Sequence, residues 1–214
     1  MQTNDINEVS LNGLVLGYHM VEVKGIRIHH LDMLTDGNAS ELSTSFNRVS
    51  ITAPAGGHPD PVTDALLNRL ASGQRGVFAR IEGRLCQSPD GNAFVSAVNA
   101  SESDSETFSN EFRYSGTTGI PVPAAGKTFS VPVTSILDGH PTVISALLPA
   151  KGTVVDKIKK GRLSPGEKIH LEGQLVGMEL NGPNGKRYFH CMMLAETART
   201  LDKKKTAAKG VNIG

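Results

Sequence analysis

The sequence has no tryptophan, and only three tyrosines and seven phenylalanines among 214 residues. Several of those rings must fill cores, so few remain to stack on a flat ligand. Cysteine is almost missing. Cys86 and Cys191 stand far apart and neither belongs to a Cys-x-x-Cys pair, which excludes a disulfide framework and a thiolate zinc site. No run approaches the about 20 apolar residues that a membrane helix needs. The start, "MQTNDINEVS", lacks a basic region followed by an apolar one, so a secretory leader is not expected and the expected location is the cytoplasm.

Catalytic constellations are missing as well. His29 and His30 are adjacent, and neighbours on a strand face opposite ways and cannot easily share a metal. "PAGGHPDP" has glycines but neither the lysine nor the following helix of a phosphate loop. No serine occupies a nucleophile elbow and no carboxylates are paired for magnesium. The expectation is a binding protein with no cofactor, metal or small-molecule substrate.

What is present is ordinary in bulk, with 38% hydrophobic and 20% charged residues, but uneven along the chain. Residues 1–106 carry seven Lys/Arg against thirteen Asp/Glu, and residues 107–214 carry fifteen against eight. The halves therefore differ in sign, −6 against +7. Either they attract one another or the basic half faces a polyanion.

Strand patterning dominates. Residues 9–34 read as two extended segments, and "FNRVSITA" (46–53) as a third, with Val49 and Ile51 on one face and Phe46, Arg48 and Ser50 on the other. "DPVTDALLNRLASG" (60–73) has helical spacing, with proline at its start and glycine at its end. "GVFARIEGRL" and "NAFVSAVNA" flank "PDGN", a strong hairpin signal. Three strands, a helix and two strands are the elements of an OB-fold, a five-stranded Greek-key barrel. On its fourth strand Ile81, Gly83 and Leu85 face inward, and Arg80, Glu82 and Arg84 outward.

Nearly the same text returns ninety residues later. Leu171-Glu172-Gly173-Gln174-Leu175 matches Ile81-Glu82-Gly83-Arg84-Leu85, with Ile169, Leu171, Gly173 and Leu175 inward and Lys168 and His170 outward. "TFSVPVTSI" (128–136) resembles the third strand of that copy, with Pro132 marking an edge or bulge. Residues 141–166 supply helical material, whereas 107–127 is weakly patterned. The reading is mainly β, two tandem OB-fold barrels each with a short helix: a first domain at 8–102, a linker at 103–110, a second domain at 111–200 and a basic tail at 201–214. The alternative is one elaborated β-domain whose two hairpins merely look alike.

"FNRVSI", the helix and "GVFARIEGRL", in that order, resemble the bacterial and phage single-stranded DNA-binding proteins over about residues 8–102. Members with two barrels per chain are similar to this layout. The resemblance implies that Phe46 takes the place of a base-stacking tryptophan and Arg48 that of a phosphate-contacting arginine. There are departures: no aromatic follows the fourth strand in "CQSPDGN", and the sequence given ends "AAKGVNIG" where the family has an acidic, phenylalanine-tipped peptide.

Sequence-tolerant binding of single strands needs cations along the backbone and flat side chains under the bases. The candidates are Phe46 and Arg48, which share a strand face; Arg80 and Arg84; Lys157, Lys159, Lys160 and Arg162 in "DKIKKGR"; Lys168; and Lys186, Arg187 and Tyr188 at the second hairpin. Each has a plain structural reading, as a solvated face or a core cap. With so few rings, affinity should rest on phosphates and fall steeply with salt. The expected function is non-specific binding and protection of single-stranded DNA in replication or recombination, in a phage or other mobile element, by a homodimer of two-barrel chains. The alternatives are a protein-docking module on the same barrels and an RNA-binding OB protein.

Overall fold

Two residues in the left-handed region, Lys24 (φ 52°) and Gly25 (φ 75°), turn the chain between Val23 and Ile26. This tight turn suits the right-handed twist of its strands, and it joins β1 (Asn7–Val23) to β2 (Ile26–Asp36). The computed structural model describes residues 5–37, 44–54, 59–88, 92–124, 128–181 and 187–201. Next come β3 (Thr44–Pro54), α1 (Pro61–Ala71), β4 (Phe78–Gln87) and β5 (Ala93–Glu102). β1 pairs with β4, β4 with β5, β5 with β3, β3 with β2, and β2 returns to β1. Five strands thus close a barrel. Its interior holds Leu11, Leu31, Met33, Val49, Ile81, Leu85 and Val95, all buried.

Helix α1 starts where expected. Asp60 Oδ1 accepts the N–H groups of Val62 and Thr63 at 2.9 and 2.8 Å, which answers donors that a helix start leaves unpaired. Leu66, Leu67 and Leu70 are buried beneath it, each worth about 1.5–3 kcal/mol of transfer from water. On β4, Ile81 and Leu85 point inward and Arg80, Glu82 and Arg84 are exposed, as the alternation requires. A Cβ on Gly83 would strike the carbonyl oxygen of Ser96 and lie 2.9 Å from Val95 Cγ1. The β4–β5 ladder bulges between Glu82 and Gly83.

The second half holds β6 (Ser109–Thr118), β7 (Val122–Ala124), β8 (Thr128–Leu137), β9 (His140–Leu147), α2 (Thr153–Lys159), β10 (Lys168–Asn181) and β11 (Arg187–Thr200). The pairing order of the first half recurs as β6–β10–β11–β9–β8, with β8 returning to β6 through Thr117↔Thr134 and Thr118↔Val133. Its β10–β11 ladder bulges at the equivalent place, between Glu172 and Gly173. All eleven strands form one sheet, because β1 also pairs with β6.

Three expectations in this half are corrected. Residues 128–136 do not take the third-strand place: β8 occupies the second, and β9 is the third. Residues 140–147 are strand, because Asp138 (φ 51°) and Gly139 (φ 79°) turn β8 back on itself and the β-branched Thr142, Val143 and Ile144 follow. Helix is confined to Thr153–Lys159. The weakly patterned stretch contains the central strand β6, which begins at Ser109, inside the expected linker. Pro132 sits where β7 pairing has ended at Ser130 and β6 pairing has not begun before Val133, which fits its missing N–H.

The junction reveals a repeat in the sequence that inspection of the hairpins misses. "NEVSLNG" (7–13) and "NEFRYSG" (110–116) occupy β1 and β6, and Val9 pairs with its own counterpart Phe112. The flanking pairs Glu8↔Arg113 and Ser10↔Glu111 radiate from that point, so a local two-fold axis passes through it. Asn7 exchanges hydrogen bonds with Leu85, Nδ2 donating to its carbonyl at 2.9 Å and Oδ1 accepting its N–H at 2.7 Å. Asn110 repeats this with Leu175 at 2.7 and 3.0 Å and also donates to the Asp36 carbonyl at 2.9 Å. Ser45 Oγ of β3 donates to the Leu175 carbonyl and accepts from the Gly177 N–H, both at 2.8 Å. The two halves are therefore sewn together by buried polar groups.

Candidate nucleic-acid interface

Strand β3 presents Arg48 outward, with Val49 and Ile51 buried behind it. The β2–β3 ladder opposes Arg48 to Asp32, and Arg48 Nε lies 3.3 Å from Asp32 Oδ1 with its side chain 57% exposed. Such a solvated pair is worth little to stability and opens readily towards another anion. Position 46 pairs with Leu34; the Phe46 side chain lies outside the described residues.

Arg80 and Arg84 do not join that face. They stand on β4, separated from β3 by β5. Arg80 lies 3.3 Å from Glu82, and Arg84 3.5 Å from Asp138 in the β8–β9 turn. Arg84 lines a cleft of about 870 Å³ over the β4–β1–β6–β10 junction. That cleft carries Glu8, Glu82, Glu111, Glu172 and Glu196 against Arg84 and Arg113. Its net sign repels phosphate. Arg113 is itself 2.6 Å from Glu8.

His170, expected to face outward beside Lys168, is only 4% exposed. Its Nε2 meets Glu172 Oε1 at 2.9 Å, and this bond is the main reason the Glu172 carboxyl titrates below the usual glutamate range. Lys168 remains exposed, with Nζ 2.7 Å from Asp5 Oδ1, while Asp5 Oδ2 accepts the Ile136 N–H at 2.9 Å. Its charge is thus engaged in holding the start of the chain.

The basic group around α2 divides. Lys157 Nζ reaches Glu167 Oε2 and Thr200 Oγ1, each at 3.3 Å. Glu167 titrates low, first because it accepts the Ser164 N–H and then because of Lys157. Lys159 Nζ reaches the Ala150 carbonyl at 3.5 Å. Lys160 and Arg162 are exposed, with no carboxylate partner among the described residues. Arg187 and Tyr188 begin β11, paired with Asn181 and Leu180; their side chains, and all of Lys186, lie outside the described residues, as does the tail from residue 202.

Sequence patterning alone does not reveal the rings beside Arg48. His30 Nδ1 is 3.1 Å from Ser50 Oγ, and His19 stacks on His30 with centroids 4.8 Å apart. On the inner face, Tyr18 Oη meets His29 Nδ1 at 2.9 Å. The signal that could have found them is the pairing of "GYHMV" with "RIHHL" across a two-residue turn, which sets His19 opposite His30. Among the described residues no cluster of three His, Cys, Asp or Glu could hold a metal ion, and no helix is long and apolar enough to cross a membrane.

No protein-family model and no curated protein matches the sequence. Solved structures do match the fold. The wild-type single-stranded DNA-binding protein from Thermus aquaticus superposes with a TM-score of 0.68 at 16% identity, covering 99% of this chain and 100% of its own. A deletion mutant of that protein gives 0.66 at 15% identity, with 96% and 99% covered. The fold expected from "FNRVSI" and "GVFARIEGRL" is therefore present, and the likeness runs through both halves.

Proposed function

We propose that this protein binds single-stranded DNA without reading its sequence and without catalysis. The observation that carries the reading is a likeness in fold over the whole length to a single-stranded DNA-binding protein. The recurring strand order supports two tandem OB barrels, at about residues 7–102 and 109–200, with a basic tail beyond. In this reading the strand follows the outer face of β3, through Phe46 and Arg48, and the basic group formed by Lys159, Lys160, Arg162, Lys186, Arg187 and Tyr188. Arg80 and Arg84 lie off that face, and Lys157 and Lys168 are held by the less exposed Glu167 and Asp5, so these four contribute long-range attraction. The acidic cleft stays clear of DNA and suits contact with protein, including a second copy in a homodimer of two-barrel chains. Replication or recombination in a phage or mobile element is the setting we propose, on the absence of tryptophan and of a ring after β4.

Fluorescence anisotropy with oligo-dT, oligo-U and duplex DNA at two salt concentrations tests this. Saturable oligo-dT binding is expected, with the logarithm of affinity falling by about 0.7 per phosphate neutralised for each tenfold rise in salt. Binding to none of the three would refute it. Preference for oligo-U would move the protein to RNA.

A further inference from the structure

The β1–β2–β3 extension carries a ring pair that neither the charge distribution nor the resemblance brought to notice. The residues on its outer face run in register. Val21 pairs with Ile28, His19 with His30, and Asp32 opposes Arg48 on the next strand. His19 is exposed and His30 half-buried, their planes 25° apart. Ser50, across from His30, fixes that ring through Oγ. The row holding Asp32 and Arg48 lies two residues further along the strands, about 7 Å away.

Two ordinary explanations fit poorly. Imidazoles stacked face to face cannot aim their lone pairs at one ion. A packing role is equally hard to maintain, since His19 is exposed to solvent. What remains is a pre-ordered stack whose exposed ring, His19, is edged by Val21 and Ile28 and followed along the face by a cation.

We propose that His19 and His30 form a two-ring shelf, His19 outermost, on whose open face one unpaired nucleobase continues the stack, with Arg48 placed for the adjoining phosphate. This rests on the single-strand reading above and adds a subsite to it. His30 is held below the ordinary imidazole range by burial first, then by His19 and Arg48, with Asp32 opposing. Behind the shelf, His29 is held low in the same sense by burial first and then by Arg27, with Asp64 opposing. His30 is therefore neutral at mildly alkaline pH and takes up its proton only in acid, where the added charge faces the same phosphate. Affinity for single strands therefore rises as pH falls, because the bound form holds the proton more tightly.

The test is anisotropy of a rhodamine-labelled oligo-dT against the full chain, at about pH 8 and about pH 5.5 around the imidazole range, at constant salt. His19→Ala should weaken binding about tenfold at both pH values, the scale of one lost base stack. His19→Phe, which restores a flat ring, should regain the affinity at the higher pH, and His30→Phe should lose much of the tightening at the lower. If the wild type binds while His19→Ala binds equally well, the shelf is wrong and the parent reading stands. If His19→Phe is as weak as His19→Ala, with an unchanged circular dichroism spectrum, flatness is not what matters and the shelf is again refuted. Failure of the wild type to bind any single strand removes both.

Discussion

Replacing Asn110 by alanine should destabilise the protein by about 1–3 kcal/mol, the cost of the one buried group it orphans. The side chain is 1% exposed and makes three bonds: to the carbonyls of Leu175 and Asp36, and from the N–H of Leu175. After truncation the Leu175 carbonyl keeps the Ser45 hydroxyl and the part-buried Asp36 carbonyl keeps the Thr35 hydroxyl at 3.3 Å, but the Leu175 N–H is orphaned. Each buried unsatisfied group costs about 1–3 kcal/mol, against a total stability on the order of 5–15 kcal/mol. Asn110→Asp separates this account from simple loss of volume. It is isosteric, but turns an oxygen towards two carbonyls now 2.7 and 2.9 Å from the amide nitrogen. It should be no more stable than the alanine variant at neutral pH. Its penalty should shrink as pH falls towards about 4, since burial raises a carboxyl's pKa and the neutral acid can donate. Urea denaturation followed by circular dichroism reads all three proteins. A shift under about 0.5 kcal/mol for Asn110→Ala, below the usual cost of one hydrogen bond, would refute the reasoning, as would an Asp variant more stable than the Ala variant at neutral pH.

The other predictions concern separate features. Phe46→Ala should weaken oligo-dT binding by about 1–3 kcal/mol, the worth of one stacked base; Arg48→Ala should also reduce the salt slope, and an unchanged slope removes that arginine from the phosphate path. Gly173→Ala should cost about 1–3 kcal/mol or more by overpacking, because the new methyl would strike the Leu194 carbonyl and lie 2.9 Å from Ala195 Cα; a thermal midpoint equal to wild type would count against the close approach. The Glu172 carboxyl is held low by His170 first, so its contribution is present above the ordinary glutamate range, about 4.3, and disappears as pH falls through the lower folded value; Glu172→Gln should be less stable than wild type at neutral pH and indistinguishable in strong acid. Burial pushes the Cys191 thiol up to about 12, so a mild thiol reagent in weakly alkaline buffer should label half-buried Cys86 first and Cys191 only on unfolding.

Much of this was readable from residue order. The inward Ile81 and Leu85, the glycines of the fourth strands and the capped helix after Asp60 follow local rules of alternation, turn geometry and capping, and the structure keeps each of them. The second half was harder. Tyr114 and Phe112 lie in a strand buried by long-range partners, β1 on one side and β10 on the other, and nothing local announces that. His140 to Leu147 could pass for helix until the Asp138-Gly139 turn commits it to pair with β8. Exposure of His170 failed for a related reason: alternation gives a side chain's direction, not what lies over it. Of the candidate site, the outward placement of Arg48 was legible because its strand is regular. The imidazole pair was not, since seeing it requires the register across the Lys24-Gly25 turn.

The meeting of β1 and β6 has a consequence for how the protein behaves at low abundance. Two separate chains joined along such a seam would part on dilution, following mass action. Here the short connector 103–108 keeps the strands within one polypeptide, as if at a local concentration in the millimolar range. The seam therefore closes as a first-order event, and the two halves keep their spacing however few molecules are present.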